Sequence, residues 1–180
     1  MRGLLLMGLT TSCLTTSTPP PTPPPTPAAD AGPFTPDDCK RSPDEATSVT
    51  VGSGAGVYMD IEDNTVMTWE KGPQGGHHIW VGVRMKGLRQ SGTITELTVT
   101  DLENPAQQVI LTRRRVPFTY DRDEGGYCVL KNLRVQLDED VDIQTLQGHH
   151  VLIQVTLTDP DDSTAEAQRF VQVQGPVDNG

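Results

Sequence analysis

The sequence predicts an all-β protein, an antiparallel β-sandwich of seven or eight strands, and three observations carry that expectation. Apolar residues recur at every second position from about Val49 onward, β-branched side chains dominate those positions, and Gly, Pro, Asn or Asp closes each run. No stretch carries the 3.6-residue apolar period of an amphipathic helix.

The strands follow in order. A first is expected over 57–61, after Gly52, Ser53, Gly54, Ala55 and Gly56, which lack the Lys-Ser/Thr of a phosphate loop and read as a bulge or loop. Ile79, Val81, Val83 and Met85 alternate up to Lys86 and Gly87, and Leu97 and Val99 make a shorter version over 94–101. A run over 107–113 comes next, and then Leu133, Val135 and Leu137 before the acidic stretch 138–142. The clearest strand sets Val151, Ile153, Val155 and Leu157 against Leu152, Gln154, Thr156 and Thr158, and Asp159, Pro160, Asp161 and Asp162 close it as a turn. A last strand covers 169–173.

The first third of the chain reads differently. Arg2 precedes a short apolar run from Gly3 to Leu9, then Thr10, Thr11 and Ser12 lead to Cys13, which is the layout of a signal peptide. The run is far shorter than the roughly 20 apolar residues that span a bilayer. Ser12-Cys13 resembles the lipobox of bacterial lipoproteins, although Thr10 stands where that motif usually has Leu. The resemblance implies cleavage before Cys13, acylation of that cysteine and stable attachment to a membrane through several chains.

Residues 14–36 are mostly Thr, Pro, Ser and Ala, with proline runs at 19–21 and 23–25, a composition that cannot form a core. In the polyproline II form such a tether reaches roughly 70 Å. The expected organisation is a signal peptide at 1–12, a lipid-anchored disordered linker at 13–36, the β-sandwich at 37–175 and a flexible tail at 176–180.

Three cysteines leave one over once two pair. In the oxidising compartment that export implies, Cys39 and Cys128 are expected to form a disulfide, while Cys13 takes the lipid. The stretch 140–159, with Leu146 and Gly148 before the alternating strand, resembles the corner and penultimate strand of bacterial immunoglobulin-like domains. Asp123, Gly125, Tyr127 and Cys128 echo the antibody Asp-x-Gly-x-Tyr-x-Cys signature, but Tyr127 and Cys128 are adjacent and must face opposite ways. That family's disulfide is therefore not transferred.

All four histidines fall in two matching Gly-His-His turns, His77-His78 and His149-His150, each at the mouth of an apolar strand. If the strands alternate in direction, both pairs lie at one pole, where four imidazoles would suit Zn²⁺ or Cu²⁺. Neighbouring strand residues face opposite ways, however, and half-buried histidines bonded to loop carbonyls explain the pattern more simply. The clusters Asp60/Glu62/Asp63, 138–142 and Asp159/Asp161/Asp162 would offer oxygens to Ca²⁺, but solvated turns account for them and no EF-hand spacing is present. Trp80 and Arg84 share the face opposite Ile79, Val81 and Val83, as an exposed binding surface or beneath a neighbouring strand or loop.

A net charge of -10 argues against a nucleic-acid partner, and Arg113, Arg114 and Arg115 among acidic neighbours read as a solvated strand end that also discourages edge-to-edge pairing. No nucleophile with a base, phosphate cradle or carboxylate pair stands out. The expected function is a non-enzymatic binding or structural module, a monomeric domain in the bacterial cell envelope, anchored to a membrane by lipid or secreted if not acylated. It needs no cofactor and meets an envelope or extracellular protein or glycan. The alternative is an envelope zinc or copper protein using the paired histidines.

Overall fold

The computed structural model describes residues 34–104, 109–137 and 142–176, with the backbone alone for 109–114. The signal segment, Cys13, the linker up to Pro33, the acidic residues at 138–141 and the tail at 177–180 lie outside the described residues. Two sheets carry the chain. The first orders β2 (Met59–Asp60), β1 (Ser48–Ser53), β5 (His77–Lys86), β9 (Cys128–Gln136) and β8 (Asp121–Arg122), and β4 (Glu70–Lys71) also pairs with β5. The second orders β3 (Thr65–Thr68), β11 (Thr164–Gln174), β10 (His150–Thr158), β6 (Ser91–Asp101) and β7 (Val109–Thr119).

Eight of these strands have four or more residues, in line with the expected seven or eight. The succession β1-β5-β9-β8 against β11-β10-β6-β7 matches the A-B-E-D and G-F-C-C′ sheets of an immunoglobulin-like sandwich. β3 joins β11 in parallel, and every other pairing is antiparallel. The corner before the penultimate strand is a 3-10 turn, Ile143–Leu146, and the Asp142 side chain accepts a hydrogen bond from the Gln144 amide.

Alternation places the core. Ile79, Val81, Val83 and Met85 of β5 face Val151, Ile153, Val155 and Leu157 of β10 across the sandwich interior, all of them buried. Trp69, Leu97, Tyr120 and Val173 fill the same core. The buried Tyr120 hydroxyl shares a 2.8 Å hydrogen bond with Thr95, and burial raises its pKa.

The segment before β1 is tied to the sandwich in two ways. Cys39 and Cys128, 89 residues apart, form a disulfide with their Cα atoms 5.7 Å apart. Closing a loop of that length stabilises the fold by about 4–5 kcal/mol through loop entropy. The neighbouring Lys40 is 1% exposed and its ammonium lies 2.8 Å from Asp159, itself 3% exposed. Lys40 also donates to Asp161 at 3.1 Å and to Ser163 at 2.8 Å. Asp159 accepts further hydrogen bonds from the amides of Arg89, Asp161 and Ser163. Asp37 completes the tie by accepting from the amides of Cys39, Lys40 and Gln90.

Two expectations need correction. The strand at 57–61 shrinks to Met59–Asp60, because Gly54 and Gly56 bend the chain over the sheet and bond to Trp80 and Asn132. The acidic turn after β10 is not simply solvated: Asp159 is buried because an ammonium and three amides neutralise and satisfy its carboxylate. The arginine run stands within β7, not at a strand end; among the described residues β7 pairs only with β6, carries Pro117, and sets Arg115 3.2 Å from Glu96.

Removing Lys40 strands a buried carboxylate, so Lys40→Met lowers unfolding free energy by about 3 kcal/mol in urea denaturation at neutral pH. Equal stability of variant and wild type contradicts the clasp. Burial alone depresses the Lys40 pKa, but its hydrogen bonds to Asp159 and Asp161 outweigh burial and raise it above 10.5. Its contribution is thus complete below 10.5 and fades as pH rises through the folded value. Asp161 is held below 3.8, first by its hydrogen bond from Arg89, so its contribution is present above 3.8 and fades as acid passes its folded value. Melting temperature is expected to hold across neutral pH and fall on both limbs, with the alkaline fall reduced in Lys40→Met.

Candidate binding face on the first sheet

The alternation that buries half of β5 turns His78, Trp80, Gly82, Arg84 and Lys86 to the outer side of the first sheet. The loop between β1 and β2 folds onto this face. Gly54 donates to the Trp80 carbonyl at 3.2 Å and accepts from the Asn132 amide at 2.9 Å, while the Gly56 amide donates to the Asn132 side chain at 2.8 Å. Glycine is required beneath it, since a Cβ at Gly52 or at Gly82 would stand 2.7 Å from the Tyr58 ring.

Tyr58 thus lies flat on a floor of backbone. Its hydroxyl donates to Asp60 at 2.8 Å and is paired with Thr50 at 2.9 Å. Burial is the main reason its pKa is pushed up to about 12, and the Asp60 carboxylate reinforces the shift. Arg84 stacks 4.3 Å from the centre of the Tyr127 ring and 6.0 Å from that of Tyr58, and pairs with Asp123 at 2.6 Å. Trp80 donates its indole N–H to Glu70 at 3.0 Å and meets the His78 ring edge-on at 4.7 Å.

Two depressions adjoin Asp60. An apolar one of about 350 Å³ lies among Met59, Val66, Met67 and Trp80. A polar one of about 320 Å³ lies among Tyr58, Arg84, Asp123 and Lys131, and Asp60 borders both. Val57, 68% exposed, and Met59, 59% exposed, project from the loop beside them.

Trp80 and Arg84, singled out in the sequence, therefore share one face and are half-buried by their neighbours. Tyr58 was not singled out, and Asp60, Asp123 and Tyr127 stand out in the sequence only within an acidic cluster and an antibody-like signature, not as parts of this face. The signals for them were the glycine run before Tyr58 and the opposite facing of Tyr127 and its neighbour Cys128, which sends the ring outward.

His149 and His150 are each engaged by a carboxylate. Glu70 pairs with His78, the Trp69 amide donates to Gln174 and the Val173 amide donates to His149, so both pairs lie toward one end of the sandwich. His149 Nδ1 sits 3.1 and 3.2 Å from the two Asp101 oxygens, and His150 Nδ1 2.8 Å from Glu103. That bond to His150 holds the Glu103 carboxyl below its ordinary pKa. Among the described residues, no group of three or more His, Cys, Asp or Glu is placed to hold a metal ion.

No family model matches the sequence, and no curated protein matches it. Among solved structures the chain is similar to murine CRIg, at 11% identity and a TM-score of 0.35, over 71% of this chain and 98% of that one. The strand order, not this overlap, defines the fold.

The Tyr58 floor has a spectroscopic signature. In an absorbance titration, one phenol step is expected near pH 12 for Tyr58, and Asp60→Asn moves that step to lower pH. A step that Asp60→Asn leaves in place contradicts the contact.

Proposed function

We propose that this chain is a non-enzymatic binding module of a bacterial cell envelope, held to a membrane by acylated Cys13 and meeting its partner through the outer face of the first sheet. The observation that carries the reading is where the aromatics sit. The chain has only eight, two Trp, three Tyr and three Phe, and three of them, Tyr58, Trp80 and Tyr127, share this one face with Arg84. Aromatic and arginine side chains dominate binding energy where they cluster, because each presents a large rigid surface with a polar handle. The Cys39–Cys128 disulfide supports an oxidising compartment outside the cytoplasm. A protein or a glycan of the envelope fits a face that pairs an apolar depression with a charged one.

The anchor and the face are tested apart. Expressed in a bacterium that processes lipoproteins, the full chain is expected in the membrane fraction with a diacylated Cys13 at its N-terminus, and Cys13→Ala moves it to the soluble fraction. An unacylated mature chain starting elsewhere overturns the anchor. For the face, the full chain is mixed with purified peptidoglycan sacculi and, separately, with envelope proteins. Trp80→Ala and Arg84→Ala are each expected to cut retention by roughly tenfold with folding unchanged. Retention that both variants preserve, or none by either fraction, overturns it.

A further inference from the structure

The apolar depression carries uncompensated charge. It opens where β2, β3, β4 and β5 meet, and its walls of Met59, Val66, Met67 and Trp80 include two carboxylates, Asp60 and Glu70. Among the described residues no Lys, Arg or His lines it, and none forms an ion pair with either carboxylate. Neighbouring cations are engaged elsewhere: Arg84 by Asp123, Arg134 by Gln136, and Arg169 by the carbonyls of Ile61 and Gln168. In the polar depression, by contrast, Arg84, Arg122 and Lys131 each have a carboxylate partner.

An aromatic donor holds each carboxylate by one oxygen. Tyr58 donates to Asp60 Oδ1 at 2.8 Å and Trp80 to Glu70 Oε2 at 3.0 Å, and among the described residues Asp60 Oδ2 and Glu70 Oε1 accept no hydrogen bond. These contacts orient the two groups without neutralising them. A guanidinium fork is best met by both oxygens of one carboxylate, whereas an ammonium needs only one oxygen from each. Met59 and Val66 remain exposed, so the walls also offer apolar area to bury. A Ca²⁺ site takes roughly six or more oxygens, which these mainly apolar walls do not offer.

We infer that this depression receives a lysine side chain of a partner protein, an inference that rests on the outer face being the one that binds. The methylene stem of the lysine lies along Met59, Val66 and Trp80. Its ammonium sits between Asp60 and Glu70, where the indole adds a cation–π attraction.

The test is an NMR titration of the labelled full chain with four blocked glycine-rich pentapeptides that differ only in their central residue: lysine, arginine, Nε-acetyl-lysine or norleucine. The lysine peptide is expected to shift the Trp80 indole N–H and the amides of 59–60 and 66–68 saturably, and to bind roughly fivefold more tightly than each of the others. Asp60→Asn and Glu70→Gln, conservative changes at exposed positions, are each expected to reduce that preference by roughly threefold while leaving norleucine binding unchanged. Absence of shifts, or equal binding of the arginine or norleucine peptide, overturns the inference. Self-association of the chain through the same signals overturns it too, by making a second copy the occupant. The two readings fail separately. If the lysine peptide does not bind while Trp80→Ala still cuts retention of an envelope component, the binding face stands and the lysine site falls. If the lysine peptide binds as expected while retention is indifferent to Trp80 and Arg84, the lysine site stands and the wider face falls.

Discussion

The buried contact between Lys40 and Asp159 is the constraint on which the rest of the domain depends. It joins a segment that precedes the first strand to the hairpin that joins the last two, and the adjacent disulfide fixes the same segment to β9. A desolvated ion pair is costly unless its remaining hydrogen-bonding capacity is filled. Here Asp161 and Ser163 satisfy the ammonium, while three amides satisfy the carboxylate. The result is one closed pole at which the segment before β1 is tied to the β5–β6 connection and to the β10–β11 hairpin.

That closure lets the outer face of the first sheet serve as a platform. β5 spends its inward positions on Ile79, Val81, Val83 and Met85, which leaves the opposite positions for Trp80 and Arg84. Gly52 and Gly82 remove side chains from the centre, so Tyr58 can lie on backbone and line the charged hollow, which meets the apolar one at Asp60. Rigidity matters because aromatic and arginine anchors lose less entropy on binding when they are already held, as Trp80 is by Glu70 and Arg84 by Asp123.

The strands were legible wherever burial is one-sided. β10 alternates cleanly, β5 does so except at the buried His78 and Gly82, and their ends fall close to the expected positions. The Cys39–Cys128 pairing was legible from cysteine number and compartment. What was hidden depends on contacts between distant segments. Nothing in the polar sequence around Cys39 and Lys40 announces burial, since the burying surface comes from residues about 120 positions away. The aromatic cluster was half legible: period two placed Trp80 and Arg84 on one face, but Tyr58 reaches it only because the chain doubles back over glycines that also suit an ordinary loop.

Native-state hydrogen exchange tests the central claim, that the segment before β1 is a permanent part of the fold. The amides of Gly87, Arg89 and Ser163 donate to Cys39 or Asp159, and all lie in connections rather than strands. They are predicted to exchange only through global unfolding, at the same free energy as the core amides of β10. Exchange at the rate of exposed turns, while β10 stays protected, would show that the pole opens on its own and contradict the account.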